Sequence, residues 1–345
     1  MKIVDLRSDT VTRPTPEMRE AMYRAEVGDD VYGEDPTVNH LEELGAQRLG
    51  FAAGLFLTSG TMGNLVALLT HTQKGDEVIL EGESHIYYYE AGGMAALGGV
   101  MPRLIKGERG KITPAMVREV HRGDNIHFPR PTLLCLENTH NRGGGSMTGP
   151  AEMAATIACA QELNLKVHID GARIFNAAAA SRCDVKELVR GADSVQFCLS
   201  KGLGTPMGSL LVGSREYIDR ARKWRKMIGG GCRQIGIMAA AGLVALESMT
   251  DRLAEDHALA KKLALGLAEI PYLTVNPDEV ETNIVVIHLN EQIITVPQFL
   301  LRLKEHGIKA NGYGGNRVRF VTHLDVREAD IDYTLQVISE LKKEL

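Results

Sequence analysis

The residue of this sequence best suited to covalent chemistry is a lysine that follows a short apolar segment. Residues 195–199 have the length and composition of a buried strand, and Ser200 and Lys201 come directly after them. A turn rich in glycine follows over residues 202–208. Burial favours the neutral amine of a lysine, and a Schiff base with a carbonyl compound requires that form. The position therefore suggests a Schiff-base lysine, although a turn lysine at the surface would also fit.

A group of small polar residues is suited to binding a phosphate. Ser59, Gly60 and Thr61 lie between a strand-like segment and the start of a helical pattern. The exposed amides of a helix start, together with two hydroxyl groups, attract an anion, but an ordinary helix cap uses the same residue types.

The sequence contains no G-x-x-x-x-G-K-[ST] motif, so a nucleoside-triphosphate P-loop is not supported. The glycines at 202–208 depart from the dinucleotide-binding pattern, because Pro206 would interrupt the required helix.

An aspartate and an arginine follow the next candidate strand, residues 166–169. The carboxylate of Asp170 could keep a pyridine nitrogen protonated and so make the ring an electron acceptor, or it could simply cap a helix. Arg173 could bind a phenolate oxygen or a substrate carboxylate. We interpret His168 as a packed histidine on the opposite side of the strand from Asp170.

Two further histidines are candidate acid–base groups. His85 could lay its imidazole against a cofactor ring, and His127 could exchange a proton near neutral pH or serve only as a turn residue. The combination of His140, His168 and Asp170 matches no known spacing of metal ligands, so no metal is predicted.

Seven strand-like segments alternate with helical patterns, and the candidate residues follow five of them. The strand-like segments are residues 54–58, 77–80, 103–106, 132–136, 166–169, 194–199 and 209–212. The helical patterns lie at residues 61–72, 86–97, 114–121, 150–163 and 185–189. This alternation indicates an α/β protein with a mostly parallel seven-stranded sheet flanked by helices. Open α/β sheets bind ligands beyond the carboxyl ends of their strands, so we expect the candidates to meet there.

The two ends of the chain have a different character from this central region. Residues 1–35 are polar and are expected to form an irregular arm, and a helix is predicted from Pro36 to residue 49. Helical patterns at 214–227 and 234–269 lead to further helices at 296–306 and 328–345. We predict an arm and large domain over residues 1–250, followed by a linking helix and a small α+β domain over residues 251–345.

The composition excludes several classes of partner. The 345 residues are 44% hydrophobic and 24% charged, with a formal net charge of −5, which gives no reason to expect a nucleic acid or an anionic membrane. No apolar run is long enough to span a bilayer, and the charged start of the chain is unlike a signal peptide. The five cysteines form no C-x-x-C pair, so we expect reduced thiols in a cytoplasmic protein.

Taken together, the sequence resembles the low-specificity L-threonine aldolase family of fold type I pyridoxal-phosphate enzymes. The resemblance runs from the amino-terminal arm to the small domain. It is carried by LRSDTVTR at 6–13, GDDVYGEDP at 28–36, ENTHN at 137–141, HIDGARIFN at 168–176, CLSKGLG at 198–204, GGGCRQ at 229–234 and RVRFVTH at 317–323.

The resemblance implies a role for each candidate residue. Lys201 would carry pyridoxal 5'-phosphate (PLP) as a Schiff base, with Asp170 at the ring nitrogen and His85 against the ring. The other implied cofactor contacts are Ser59, Gly60, Thr61 and Arg173, with Lys226 and Arg233 reaching the site of a neighbouring subunit. The implied substrate contacts are Ser8, Tyr32, Arg173 and Arg319. The family is usually a homotetramer built from dimers that share their sites.

The implied activity is a retro-aldol cleavage of L-threonine or L-allo-threonine to glycine and acetaldehyde, in threonine catabolism and glycine biosynthesis. His85 is favoured over His127 as the base for the substrate hydroxyl. Another PLP-dependent β-eliminating lyase, or an aminotransferase acting on a small amino acid, is the alternative. A non-catalytic protein of the same fold would be expected to lack Lys201 or Asp170, and both are present.

Overall fold

The computed structural model describes residues 3–123 and 125–341, and within them a seven-stranded sheet forms the centre of the protein. The strands, in chain order, are β1 (Val4–Asp5), β2 (Ala53–Leu57), β3 (Glu77–Glu81), β4 (Met101–Ile105), β5 (Pro131–Glu137), β6 (Lys166–Asp170), β7 (Ser194–Cys198), β8 (Ser209–Gly213), β9 (Leu273–Thr274), β10 (Ile284–Leu289), β11 (Ile308–Lys309), β12 (Asn311–Gly312) and β13 (Arg317–Val321).

The central sheet has the order β2-β8-β7-β6-β5-β3-β4. Its strands are parallel except for β8, which pairs antiparallel with β2 and β7. Strands β3, β7 and β8 are buried along their whole length, because helices cover both faces of the sheet. The predicted sheet is confirmed, and each predicted strand lies within two residues of an observed one.

Helices cover this sheet and continue into the carboxyl-terminal part. They are α1 (Pro16–Arg24), α2 (Pro36–Leu49), α3 (Gly60–His71), α4 (His85–Tyr88), α5 (Gly93–Ala96), α6 (Pro114–Val120), α7 (Pro150–Glu162), α8 (Ile174–Ser181), α9 (Val185–Val189), α10 (Arg215–Met227), α11 (Gly236–Val244), α12 (Leu253–Ala268), α13 (Val296–Glu305) and α14 (Glu328–Leu341). Each helix within the described ranges is too short or too polar to cross a lipid bilayer.

Two predicted helices are interrupted. The pattern at 86–97 is divided between α4 and α5, because Gly92 adopts φ +72°, a left-handed conformation that ends a regular helix. The pattern at 234–269 is divided between α11, a π-helical turn at Ala245–Met249, and α12. The last predicted helix, 328–345, is observed as far as Leu341, and its remainder lies outside the described residues.

The amino-terminal arm is more ordered than expected. The prediction of an irregular, non-core segment is wrong for α1, which packs on α11 and buries Met18 completely. Strand β1 pairs with β11, and Leu6 is fully buried in the apolar cluster of the carboxyl-terminal part. The arm therefore contacts both parts of the protein, and residues 8 and 9 lie between them.

The carboxyl-terminal part contains a four-stranded antiparallel sheet of order β12-β13-β10-β9. Helices α12, α13 and α14 contribute to a second buried apolar cluster, which includes Leu263, Phe299 and Phe320. The division of the chain at residues 250 and 251 stays a prediction.

Candidate active site

Three of the predicted strand-end residues, His85, Arg173 and Lys201, line a cavity of about 400 Å³ at the carboxyl edge of the central sheet. Loops after β3, β5, β6 and β7 form one wall, and the amino-terminal arm and small sheet form the other. The lining residues are Ser8, Thr10, His85, Tyr89, Asn141, Arg173, Lys201, Asn311, Gly312, Tyr313 and Arg319. The expectation that separate strands bring these groups to one edge is confirmed for His85, Arg173 and Lys201.

Lys201 is held at this edge by the backbone around it. After β7, the amide of Leu199 donates to the carbonyl of Gly208 at 3.0 Å, and the amide of Gly204 donates to the carbonyl of Lys201 at 2.9 Å. The hydroxyl of Thr12, from the arm, also donates to the carbonyl of Lys201 at 3.2 Å. These contacts fix the main chain and leave the amine directed to the cavity.

Asp170 provides a buried negative charge beside the cavity. Its Oδ1 accepts hydrogen bonds from Nε2 of Gln196 at 2.7 Å and the amide of Ala172 at 3.1 Å, and its Oδ2 accepts one from Nδ2 of Asn64 at 2.8 Å. Burial alone would raise the pKa of Asp170, but the charges of His85 and Lys201 and these donors outweigh it and lower the pKa. The carboxylate is therefore anionic and suited to a cationic partner.

His85 is oriented by two carboxylates. Its amide donates to Oε2 of Glu137 at 2.5 Å, and its Nδ1 lies 2.8 Å from Oε1 of Glu90. Burial lowers the pKa of His85, but the bond to Glu90 and the charge of Asp170 more than compensate and raise it above its ordinary value. Ligand atoms of His85, Glu90 and Asp170 lie within 4.8 Å of one another. Because hydrogen bonds already satisfy them, we interpret the cluster as a proton-holding site.

The amino terminus of α3 presents polar groups next to the strand that leads to Lys201. Ser59 caps the helix by accepting from the amide of Met62 at 3.2 Å, and Thr61 is exposed. A Cβ atom on Gly60 would lie 2.7 Å from Sγ of Cys198, so a larger residue would push the helix away from β7. This packing explains why residue 60 is a glycine, and the anion site at this turn stays a prediction.

Two arginines face each other across the cavity. Arg173 is buried, and its Nε and Nη2 donate to the carboxylate of Asp9 at 2.6 and 2.7 Å. Arg319 donates to Oδ1 of Asn141 at 2.8 Å and to the carbonyl of Arg7 at 3.1 Å. Burial, and then the positive charge of Arg173, lower the pKa of Arg319. An anion such as a carboxylate between the two guanidinium groups would relieve this repulsion.

Eight predicted site residues are not among those that line this cavity: Ser59, Gly60, Thr61, Asp170, Tyr32, His127, Lys226 and Arg233. His127 is exposed in a turn in which the amide of Phe128 donates to the carbonyl of Asn125. Arg233 donates to Asp29 at 2.9 Å and lies over the ring of Tyr32, with 5.9 Å to its centroid. Lys226 lies near the end of α10.

Sequence reasoning missed several groups that position the site, including Asp9, Asn64, Glu90 and Gln196. It also placed His168 on the wrong side of β6. Residues two apart on a strand share a face, and His168 and Asp170 both contact the side chain of Asn64. The prediction that His168 is packed in the interior is correct, since it is fully buried.

The mostly parallel sheet, with a lysine, a buried aspartate and a helix amino terminus at its carboxyl edge, has the fold of the fold type I PLP-dependent enzymes. The chain belongs to the beta-eliminating lyase family, whose pattern it matches over residues 5–290. It is 44% identical to the low-specificity L-threonine aldolase 1 of Arabidopsis thaliana, over 99% of this chain and 96% of that protein.

Solved structures support the same fold. A threonine aldolase of Leishmania major superimposes with a TM-score of 0.85, covering 98% of this chain and 99% of that one at 19% sequence identity. A structure of SPT with its PLP internal aldimine gives a TM-score of 0.76 at 18% identity, covering 99% of this chain and 88% of that one.

Proposed function

We propose that this lyase is a PLP-dependent aldolase that cleaves L-threonine and L-allo-threonine to glycine and acetaldehyde. The observation that carries the proposal is the arrangement of the cavity. The amine of Lys201 and the ionised carboxylate of Asp170 lie at the carboxyl edge of the central sheet. Two arginines suited to an α-carboxylate, Arg173 and Arg319, lie close by.

The groups around the cavity fit PLP by their chemistry. Lys201 would hold the aldehyde carbon, Asp170 would pair with the ring nitrogen and His85 would contact the ring. Ser59, Gly60 and Thr61 would hold the phosphate at the amino terminus of α3. When bound, PLP supplies an electron-withdrawing ring that accepts the electron pair left at the α-carbon when a substrate bond breaks.

The residues opposite this group orient the substrate. Arg319, Arg173 and Ser8 bind the α-carboxylate, and Asp9 holds Arg173 rigid through its paired hydrogen bonds. Fixing the carboxylate would limit rotation of the substrate about its α-carbon and so set which bond of that carbon breaks. Arg319, Arg173 and Ser8 would thereby favour carbon–carbon cleavage over loss of the α-proton.

A product assay tests the proposed reaction directly. The purified protein, incubated with each of the four threonine stereoisomers, should release acetaldehyde and glycine in equal amounts from the L-threonine and L-allo-threonine forms. 2-Oxobutanoate with ammonia would instead identify a β-eliminating lyase, because β-elimination keeps every carbon of threonine. 3-Hydroxy-2-oxobutanoate, formed only when a keto acid is added as amino acceptor, would identify an aminotransferase. Either result without acetaldehyde would refute the proposal.

We expect His85 to be the base that takes the proton of the β-hydroxyl group. It lines the cavity, whereas His127 is exposed outside it. General base catalysis contributes about 10²-fold or more, so His85→Asn should lower kcat by roughly that factor. His127→Asn is the matched control and should leave kcat within about twofold, because His127 lies outside the cavity. A larger loss in His127→Asn than in His85→Asn would reverse the assignment.

The pH dependence of the reaction should report the contact between His85 and Glu90. This contact helps to raise the pKa of His85, and the neutral base is available only above that pKa. Glu90→Gln removes the charge, lowers the pKa of His85, and should move the acidic limb of kcat/KM to lower pH by about one unit. The measurement is a pH profile of both proteins. A limb that stays in place, or moves to higher pH, would contradict this role for Glu90.

Tyr32, Lys226 and Arg233 are proposed to act in the site of a second subunit within a homotetramer. Their position outside the cavity of their own chain supports this proposal. Mixing the inactive variants Lys201→Ala and Arg233→Ala should then restore about a quarter of the activity, because hybrid dimers regain one unmodified site. If the mixed variants regain no activity, or if light scattering gives the mass of a monomer, the sites are not shared between subunits.

A cytoplasmic location and a place in threonine catabolism and glycine biosynthesis complete the proposal. The five cysteines are unbridged, which supports a reducing compartment. Recovery of the protein in the membrane or secreted fraction of cells would contradict the location.

A further inference from the structure

A series of buried polar side chains starts at Asp170 and leads away from the cavity. Asn64 donates from Nδ2 to Oδ2 of Asp170 at 2.8 Å, and its Oδ1 lies 3.2 Å from Nε2 of His168. Nδ1 of His168 lies 2.9 Å from the hydroxyl of Ser194, which lies 2.7 Å from Nε2 of His71. Asn64, His168 and Ser194 are at most 1% exposed, so their hydrogen bonds must come from the protein.

The secondary structure brings these residues together in a simple way. His168 and Asp170 are two residues apart on β6 and share a face, and Ser194 is the direct partner of His168 on β7. Asn64 and His71 are seven residues apart on α3, so they lie on the same side of that helix. One face of α3 therefore lies along β6 and β7. It contributes Asn64, which contacts Asp170, and His71, which is the last residue of the series.

The positions of the hydrogen atoms follow from the partners of Asn64. Its Nδ2 also donates to Oε1 of Glu90 at 2.7 Å, and two carboxylates at one atom require the amide nitrogen there. Oδ1 therefore accepts from Nε2 of His168. Burial lowers the pKa of His168 to about 4, so its ring is neutral and Nδ1 is an acceptor. The hydroxyl of Ser194 must donate to that nitrogen and accept from Nε2 of His71.

In each of these hydrogen bonds the donor is the group farther from Asp170, so every N–H or O–H points toward Asp170. In such a directed series each donor polarises the next, and the last donor is strengthened against the negative charge. We propose that Asn64, His168, Ser194 and His71 form a relay that positions Asp170 and keeps it anionic for the cofactor ring nitrogen. This inference rests on the proposed function, and these four are positioning residues that act through Asp170.

The outer end of the relay lies far from the chemistry. His71 stacks on Tyr217 with 4.4 Å between the ring centroids, and both line a second cavity of about 700 Å³ with Lys166, Asp193 and Arg220. Lys166 and Asp193 precede or begin strands β6 and β7, so this cavity lies at the opposite edge of the sheet. Members of the relay can therefore be changed without altering a residue of the active-site cavity.

The test compares two probes that differ at one ring atom. Cofactor-depleted full-length protein is titrated with PLP and with its 1-deaza analogue, in which a C–H group replaces the ring nitrogen. His168→Phe removes the donor to Asn64 and should weaken PLP binding by up to about tenfold, the scale of one hydrogen bond between neutral groups. The affinity for the analogue should stay unchanged, because the analogue offers Asp170 no ring nitrogen.

Three further variants separate the relay from general damage to the core. His168→Gln keeps a donor near the position of Nε2 and should restore most of the affinity for PLP. Ser194→Ala should give a smaller loss of the same selectivity, and it carries the test if His168→Phe does not fold. Thr156→Val removes another buried hydroxyl, on α7 and outside the relay, and should leave both affinities unchanged.

The outcomes distinguish the relay from the proposed function. Equal losses for both probes in His168→Phe and Ser194→Ala, or no loss for either, would overturn the relay while leaving the PLP site intact. A wild-type protein that binds neither probe would refute the proposed function, and the relay with it. Selective loss of PLP affinity in both variants, with rescue by His168→Gln, is the expected result.

Discussion

Lys201→Ala is expected to abolish turnover, with a fall in kcat of roughly 10³-fold or more, because no other group replaces a covalent amine. The purified variant should also lose the yellow colour that PLP bound to a lysine gives, and borohydride should no longer attach the cofactor to the chain. Threonine cleavage, the visible spectrum and the mass of the borohydride-treated protein are the measurements. Activity within tenfold of the wild type would remove Lys201 from the proposed role.

The structure indicates that this variant will fold, which makes a loss of activity interpretable. The hydrogen bonds at residue 201 are made by its backbone carbonyl, to Thr12 and Gly204, and alanine retains that carbonyl. We therefore expect the unfolding midpoint to change little. Lys201→Arg is the control for charge, since it keeps the cation but not a nucleophilic amine, and it should be equally inactive.

The sheet and the edge that carries the site were predictable from the sequence because both depend on local patterns. A strand buried on both faces requires a short apolar run, and the carboxyl ends of parallel strands meet at one edge. Lys201, Asp170 and His85 each follow such a run, so their convergence follows from strand order alone. The roles of Ser8 and Arg319 came from a resemblance, since no local pattern predicts that the arm meets β13.

The groups that position the site residues could not be predicted from local sequence patterns. Asp9 and Arg173 are 164 residues apart, and Asn64 and Asp170 are 106 residues apart. Such pairs depend on how distant elements pack, and a buried asparagine in a helix has no sequence signature. Glu90 follows His85 by five residues, but the left-handed turn that ends the helix was not recognised, so their contact was missed.

Asp170→Asn is expected to lower kcat by about 10²-fold or more, since it removes the one fixed negative charge assigned to the ring nitrogen. Asparagine has nearly the same shape and keeps one acceptor oxygen, so the loss reports charge rather than packing. The buried donors of Asn64 and Gln196 would then face a neutral amide, and the affinity for PLP should fall as well.

Asp193→Asn is the matched control, because Asp193 lies just before β7 at the opposite edge of the same sheet. Its carboxylate contacts Lys166 and the amide of Val167, each at 2.9 Å, and faces no group of the active-site cavity described above. The same substitution there should leave kcat and the PLP affinity unchanged. Comparable kcat values for Asp170→Asn and the wild type would show that cleavage does not need a charged partner for the ring. Equal losses of kcat in Asp170→Asn and Asp193→Asn would instead indicate general damage to the sheet. A loss of kcat confined to Asp170→Asn would mean that the negative charge of Asp170, rather than the packing of the sheet, enables the cofactor to accept electrons.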